Sequence, residues 1–253
     1  MKTKRMLNMV LACATLLLCA AAAQADDLYT VANAKGDINP PTDFFYPGYR
    51  LVDFDHDING NLLPFDPETI NPLDPNLYSA WGVTFSTAST LYIATSSLAP
   101  ESAVDYAQNS SPNSLFSWTS YAGPNGPNYA LFSGDQFPTA VGMVFTDGWK
   151  YGGNPFYVQV YDRDGSLIPG SKVSFDYSDD TWYTSFGEDA FVGIAYRDGI
   201  SKLEWGTQYG SAGGLEVDNL MFGQGPVVPE PTTMALFAFG LAGLAARMRK
   251  KRS

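Results

Sequence analysis

Charge is scarce in this chain, and basic charge is scarcest: 16% of the 253 residues are charged, with 15 Lys and Arg against 26 Asp and Glu. A nucleic-acid binder needs a basic footprint, so that class is excluded. There is one histidine, His56, and there are two cysteines, Cys13 and Cys19. Both cysteines fall in an N-terminal stretch that reads as a secretion signal. The body after it therefore has no thiol nucleophile, no disulfide and no Cys-based metal site, despite its export. A zinc centre is not expected on a lone histidine either. No long run in the body has a helical period and nothing repeats at a fixed interval, which excludes a helical bundle, a propeller and a solenoid.

What is present begins with the two ends. Lys2, Lys4 and Arg5 precede an almost wholly apolar stretch from Leu7 to Ala23. Ala23-Gln24-Ala25 then puts small residues where a signal peptidase reads, so residues 1–25 are expected to be a signal helix that is removed. At the other end, Pro229-Glu230-Pro231 leads into an apolar stretch from Thr232 to Ala246, followed by Arg247, Arg249, Lys250, Lys251 and Arg252. As a helix that stretch would span about 22 Å at about 1.5 Å per residue, short of the roughly 30 Å hydrocarbon core. It is a poor permanent anchor. The basic cluster keeps its end cytoplasmic and leaves the body outside.

A Pro-Glu-Pro tripeptide, a short glycine-bearing apolar helix and a terminal Arg/Lys cluster, in that order, resemble the PEP-CTERM sorting signal of Gram-negative bacteria. The resemblance implies recognition by exosortase, a membrane-embedded cysteine protease/transpeptidase that cleaves at or near Pro229-Glu230-Pro231. It also implies a host that makes exopolysaccharide and biofilm matrix. The two prolines hold the cleavage segment extended, as a protease requires. The chain is expected at the inner membrane transiently, then at the cell surface or in the extracellular matrix.

Between Asp26 and Val228 seven basic residues face 25 acidic ones, a net charge of −18. Such a body is soluble, is repelled by anionic surfaces and attracts divalent cations. Short alternating or apolar runs separated by turn residues fill it: Trp81–Ser86, Leu91–Thr95, Tyr129–Phe132, Ala140–Thr146, Phe156–Asp162, Lys172–Tyr177, Ala190–Tyr196, Ile200–Trp205 and Leu215–Phe222. These predict an all-β, antiparallel β-sandwich of jelly-roll type. Asp162-Arg163-Asp164-Gly165 reads as a turn and Arg197-Asp198-Gly199 as a tight hairpin between two strands. Residues 26–48 are expected to be a flexible leader, 49–224 the sandwich and 225–253 the sorting signal. Residues 106–127 read as a long loop.

Val52-Asp53-Phe54-Asp55, Trp81-Gly82-Val83-Thr84-Phe85, Val141-Gly142-Met143-Val144-Phe145, Val158-Gln159-Val160-Tyr161-Asp162-Arg163-Asp164-Gly165, Phe191-Val192-Gly193-Ile194 and Val217-Asp218-Asn219-Leu220 follow one another in that order. Together they resemble the lectin-like, carbohydrate-binding-module-like jelly roll found ahead of PEP-CTERM signals. Fold alone does not give a ligand.

The densest chemistry is Asp53-Phe54-Asp55-His56-Asp57-Ile58-Asn59-Gly60-Asn61, followed by Asp66. Counted from Asp55, the oxygens of Asp55, Asp57, Asn59 and Asp66 nearly fit a calcium loop, with Gly60 at the sharp bend. Pro64 and the missing Glu depart from that pattern. Alternatively, Asp53 or Asp55 meets Asp218 across the fold around one structural Ca2+. The plainer reading is a solvated acidic turn whose Asp and Asn side chains bond their own backbone. His56 has acids on both sides and no nucleophile motif nearby, so it is expected to be a surface loop residue. Of the turn-region aromatics, Trp182 and Tyr183 are the expected sugar-stacking pair. The expected function is non-enzymatic association with extracellular polysaccharide, with a protein-binding adhesin and a glycan-processing enzyme as alternatives.

Overall fold

The computed structural model describes residues 28–34, 36–63, 71–87, 90–95, 113–119, 127–134, 137–148, 155–175, 190–207 and 213–225. The expected signal helix and the expected C-terminal transmembrane helix lie outside these residues. Among the described residues no helix is long and apolar enough to cross a membrane. The chain divides into two compact units, one of Met1–Leu28 with Val227–Ser253 and one of Tyr29–Pro226; the account below concerns the second.

Thirteen strands lie among the described residues: β1 (Leu28–Ala32), β2 (Arg50–Val52), β3 (Asn71–Pro72), β4 (Val83–Thr87), β5 (Thr90–Thr95), β6 (Asn113–Thr119), β7 (Asn128–Phe132), β8 (Ala140–Gly148), β9 (Phe156–Tyr161), β10 (Val173–Phe175), β11 (Ala190–Tyr196), β12 (Lys202–Thr207) and β13 (Gly213–Gly223). They form two sheets. One has eight strands in the order β1-β11-β8-β13-β6-β5-β3, with β2 also paired to β13. The other has five, in the order β10-β9-β12-β7-β4.

The sandwich follows from alternation. In β9 the residues Phe156, Val158 and Val160 are buried while Tyr157, Gln159 and Tyr161 between them are half-buried. The same holds for Asn128, Ala130 and Phe132 against Tyr129 and Leu131 in β7. Only two-residue periodicity puts one set inward and the other outward. The inward rings meet between the sheets: Phe145 of β8 lies 4.7 Å from Phe175 of β10 and 6.0 Å from Phe156 of β9, and Phe132 lies 5.2 Å from Phe222. Trp205 of β12 is fully enclosed. Each such side chain contributes ~1.5–3 kcal/mol when removed from water.

The eight-stranded sheet is covered on its outer face as well. Phe44 packs edge-on against Phe191 of β11 at 5.4 Å and clusters with Ala140, Ala195 and Met221. Gly142 and Gly193 make this possible. A Cβ on Gly142 would come 2.4 Å from the Phe191 ring, and one on Gly193 would come 2.6 Å from the Phe44 ring. This second layer explains why β11 is buried over most of its length.

Three expectations are corrected. The stretch expected as a flexible leader contains β1, at the edge of the larger sheet, and the buried Phe44. The expected loop at 106–127 contains β6, whose serines are buried because the fold supplies partners: Ser114 donates to Glu216, and Ser117 accepts from Asn128 Nδ2 at 3.2 Å. Arg197-Asp198-Gly199 is no hairpin within a sheet. It carries the chain from β11 in one sheet to β12 in the other, with Gly199 at φ +95°.

Candidate functional site

The acidic loop follows β2 and folds on itself. Asp53 Oδ1 accepts from the N–H groups of Asp55 and His56, both at 3.1 Å, and Asp53 Oδ2 lies 2.9 Å from His56 Nδ1. Asp57 Oδ1 accepts from the N–H of Asn59 at 2.8 Å and of Asn61 at 2.9 Å, while its Oδ2 accepts from Asn61 Nδ2. Gly60, at φ +78°, donates to Asp57 O. The turn at Asp162 repeats this scheme: Asp162 Oδ1 accepts from Asp164 N and Ser166 N, and Gly165, also at φ +78°, donates to Asp162 O. Aspartate held by backbone N–H groups is a self-contained way to close a tight turn. It needs no ion.

The expected calcium-loop ligands are placed only in part. Asp57 bonds within its loop, Asn59 is exposed and Asp66 lies outside the described residues. Among the described residues no three His, Cys, Asp or Glu side chains gather into a group able to hold a metal. For the other expected arrangement the structure gives strand pairing and burial. β2 pairs with β13 through Val52 and Leu220, which brings the start of the acidic loop beside Asp218. Asp55 and Asp218 are both buried. Asp218 Oδ1 accepts from Asn219 N at 2.6 Å, where Asn219 takes φ +50°.

Tyr78, wholly enclosed, donates its hydroxyl to His56 O at 2.9 Å. Its pKa is raised well above the usual phenol value, first by burial and then by the negative fields of Asp53, Asp55, Asp57 and Asp218. The pKa of His56 is raised chiefly by its hydrogen bond to Asp53, against a smaller opposing effect of burial. Asp57 is held below the usual carboxylate range by Asn61. His56 is thus an orienting partner of Asp53 at the surface, as a loop residue would be.

A second constellation lies on the outer face of the five-stranded sheet. Register places Gln159 of β9, Glu204 of β12, Tyr129 of β7 and Ser86 of β4 in one row. The next row holds Tyr161, Lys202, Leu131 and Thr84. On the far side of Gln159, Tyr157 lies between Ser174 of β10 and Gly206 of β12. Glu204, only 6% exposed, is the hub. Its Oε1 accepts from Tyr157 Oη at 2.9 Å and Gln159 Nε2 at 3.0 Å, and its Oε2 accepts from Tyr161 Oη. Burial, then the Glu204 carboxylate, pushes the Tyr161 hydroxyl up to about 12 and raises Tyr157 further. Both therefore stay protonated donors at any physiological pH.

Ammonium groups overlie the rings. Lys202 Nζ is 3.4 Å from the Tyr161 centroid and 4.8 Å from that of Tyr129, and Lys172 Nζ is 4.5 Å from that of Tyr157. These contacts and the shared carboxylate fix three tyrosine rings on a rigid sheet. Gly206 leaves the floor beside Tyr157 without a side chain. The arrangement offers aromatic surface, amide and hydroxyl groups and one carboxylate, the chemistry by which a polyhydroxylated ligand is held.

This face was missed in the sequence, although the alternation of Phe156-Tyr157-Val158-Gln159-Val160-Tyr161 gave its signal: the outward set is Tyr, Gln, Tyr. The expected stacking pair, Trp182 and Tyr183, lies outside the described residues. So do Ala23 and Ala25, Pro229, Glu230 and Pro231, and the basic cluster of Arg247, Arg249, Lys250, Lys251 and Arg252.

Residues 227–250 match the PEP-CTERM protein-sorting motif. No curated protein matches the chain. Among solved structures the body is similar to a cleaved adhesin domain of Lys-gingipain from Porphyromonas gingivalis, at 9% identity and a TM-score of 0.36 over 78% of this chain and 99% of that one. It is also similar to the C-terminal family 22 carbohydrate-binding module of Clostridium thermocellum Xyn10B, at 12% identity and 0.32 over 66% and 100%. A third likeness is to the enzymatically active domain of bacteriophage CBA120 tailspike protein 4, at 12% identity and 0.31, where 56% of this chain matches 19% of that one. Likenesses this distant carry no argument about ligand or activity.

Proposed function

We propose that this chain is an exported protein which exosortase cleaves at or near Pro229-Glu230-Pro231, and whose body then associates, without catalysis, with extracellular polysaccharide. The observation that carries the second half is the Tyr157–Tyr161–Glu204 face. Rings already held in place lose little entropy when a sugar's apolar face stacks on them. Glycoside hydrolysis ordinarily needs two carboxylates flanking the bond. Among the described residues that register places on this face, Glu204 is the one carboxylate, which supports a binding role.

The sorting half is tested by the mass of the protein recovered from its host. The expected product ends near Pro231 when exosortase is present and keeps residues up to Ser253 when exosortase is deleted. Equal masses in the two hosts would overturn it.

We propose that the cation reading rests on Asp55 and Asp218, the two buried carboxylates of the candidate set. Two desolvated carboxylates acting on the same Tyr78 hydroxyl repel each other, and a divalent cation between them would offset that repulsion. The expected outcome is a melting temperature several degrees higher in calcium than in chelator, with the difference lost in Asp218→Asn. Identical melting curves in calcium and chelator would remove the ion.

A further inference from the structure

The chain leaves the sandwich on the side opposite the tyrosine–glutamate face. β13 ends at Gly223, and the next two residues are pinned to the outer face of the eight-stranded sheet. Tyr46 N donates to Gln224 O at 2.8 Å, and Gly225 N donates to Thr139 Oγ1 at 2.8 Å. Gly223 lies so close to Tyr49 that a Cβ there would come 2.9 Å from the Tyr49 Cα. From Gly225 to Thr232, where the apolar stretch begins, there are seven residue steps, which reach at most about 25 Å when fully extended. The inference rests on the sorting reading above: if residues 232–246 enter a membrane before cleavage, chain length alone keeps this exit within about that distance of the lipid.

Among the described residues, four of the six exposed large hydrophobic side chains lie around the exit, the other two being Leu62 and Leu167. Tyr29 is 44% exposed, Tyr46 41%, Tyr49 42% and Leu51 41%. Phe45 stacks on Tyr49 at 5.1 Å, and Phe44 lies 6.0 Å from Tyr29. Tyr46-Pro47-Gly48-Tyr49 is a turn with Gly48 at φ +94°, and both of its tyrosines are left at the surface. The packing beneath is tight: Phe44, Phe191 and Met221 close over Ala140 and Ala195. Exposed tyrosines on a rigid apolar base suit a membrane–water interface, where the ring enters the lipid boundary and the hydroxyl stays wet.

We propose that, before cleavage, the body rests on the outer leaflet of the membrane through Tyr29, Tyr46, Tyr49 and Leu51, with zwitterionic lipid headgroups as its partner. Docking of this face holds the exit and its short tether at the depth where a membrane-embedded protease works. It also turns the five-stranded sheet, and with it Tyr157, Tyr161 and Glu204, away from the membrane. The attraction is apolar and interfacial. At net −18 the body is repelled by anionic lipid, so neutral headgroups are the favoured surface.

The test uses the full chain with Cys13→Ala and Cys19→Ala, reconstituted through its own tail into phosphatidylcholine vesicles. An environment-sensitive fluorophore is placed at Leu51→Cys or at Ser174→Cys, and lipids carrying a nitroxide near the headgroup act as quenchers. The Leu51 reporter is expected to be quenched several-fold more than the Ser174 reporter. Tyr29→Ser with Tyr46→Ser and Tyr49→Ser should bring the two to the same level while the circular dichroism stays unchanged. If the triple variant does not fold, Tyr46→Ser alone should lower the Leu51 quenching part of the way. Equal quenching of the two reporters in the unaltered face, or stronger quenching at Ser174, would overturn the proposal. So would shielding of Leu51 that rises with protein concentration and not with lipid, which would assign the face to a second copy of this chain.

Discussion

Replacing Tyr157 and Tyr161 together with alanine is expected to weaken retention on the host's extracellular polysaccharide by about a hundredfold, on the scale that aromatic hot spots contribute to binding, at about 1.4 kcal/mol per tenfold. Two of the three rings on the outer sheet face would be lost. So would the hydroxyl that donates to each oxygen of Glu204; Gln159 still donates to Oε1, but Oε2 loses its tyrosine, and a nearly buried oxygen left without that donor costs about 1–3 kcal/mol. Part of the effect would therefore be structural. Tyr157→Phe separates the two contributions, because it keeps the ring and removes only the hydroxyl. If stacking dominates, that variant binds within a few-fold of the parent. Affinity electrophoresis in the purified polysaccharide reads both, with near-ultraviolet circular dichroism as the check on folding. Undiminished retention in the double variant would remove this face as the sugar site. Absence of binding to every glycan by the parent would favour a protein-binding adhesin instead.

Gly142→Val is expected to lower the melting temperature by roughly 6–12 °C, taking about 3 kcal/mol for overpacking and about 2–4 °C per kcal/mol in a body of this size. The first atom of the new side chain would sit 2.4 Å and 2.6 Å from two carbons of the Phe191 ring and 3.0 Å from Val192 O. Phe191 has nowhere to go, because Phe44 blocks it from outside and the two sheet strands hold it from below. The strain would pass into Phe44 and Phe45 and loosen the tyrosines above them. A thermal melt measures the loss. A change of only a degree or two would mean that the aromatic cap is far softer than its packing implies.

The strands were legible where inward residues are apolar and outward ones are not. β9 and β7 alternate, while β8 from Ala140 to Phe145 and β11 are nearly all apolar because both of their faces are covered. β6 was not legible. Asn113–Thr119 reads as turn chemistry until Ser114 and Ser117 find Glu216 and Asn128, partners that lie far away in sequence or across the fold. The loop at Asp53 was ambiguous for a related reason. Alternating Asp and Asn oxygens serve a cation or the loop's own N–H groups equally well, and only the folded turn, repeated at Asp162, shows which groups they reach. The outer tyrosine face required register: Gln159 and Glu204 are 45 residues apart, and no local pattern states that their strands are neighbours.

The strand that leads to the tail is the longest among the described residues. β13 spans eleven residues and pairs with β8 from Leu215 to Gly223, with register shifts at Glu216/Val217 and Asp218/Met221, and with β6 and then β2 on its other side. A pull on an anchored C-terminus is delivered along this strand, across bonds that run perpendicular to it. They must rupture together and cannot peel one at a time. A load applied at Gly223 would thus meet the sandwich in shear, against β8 on one side and β6 and β2 on the other.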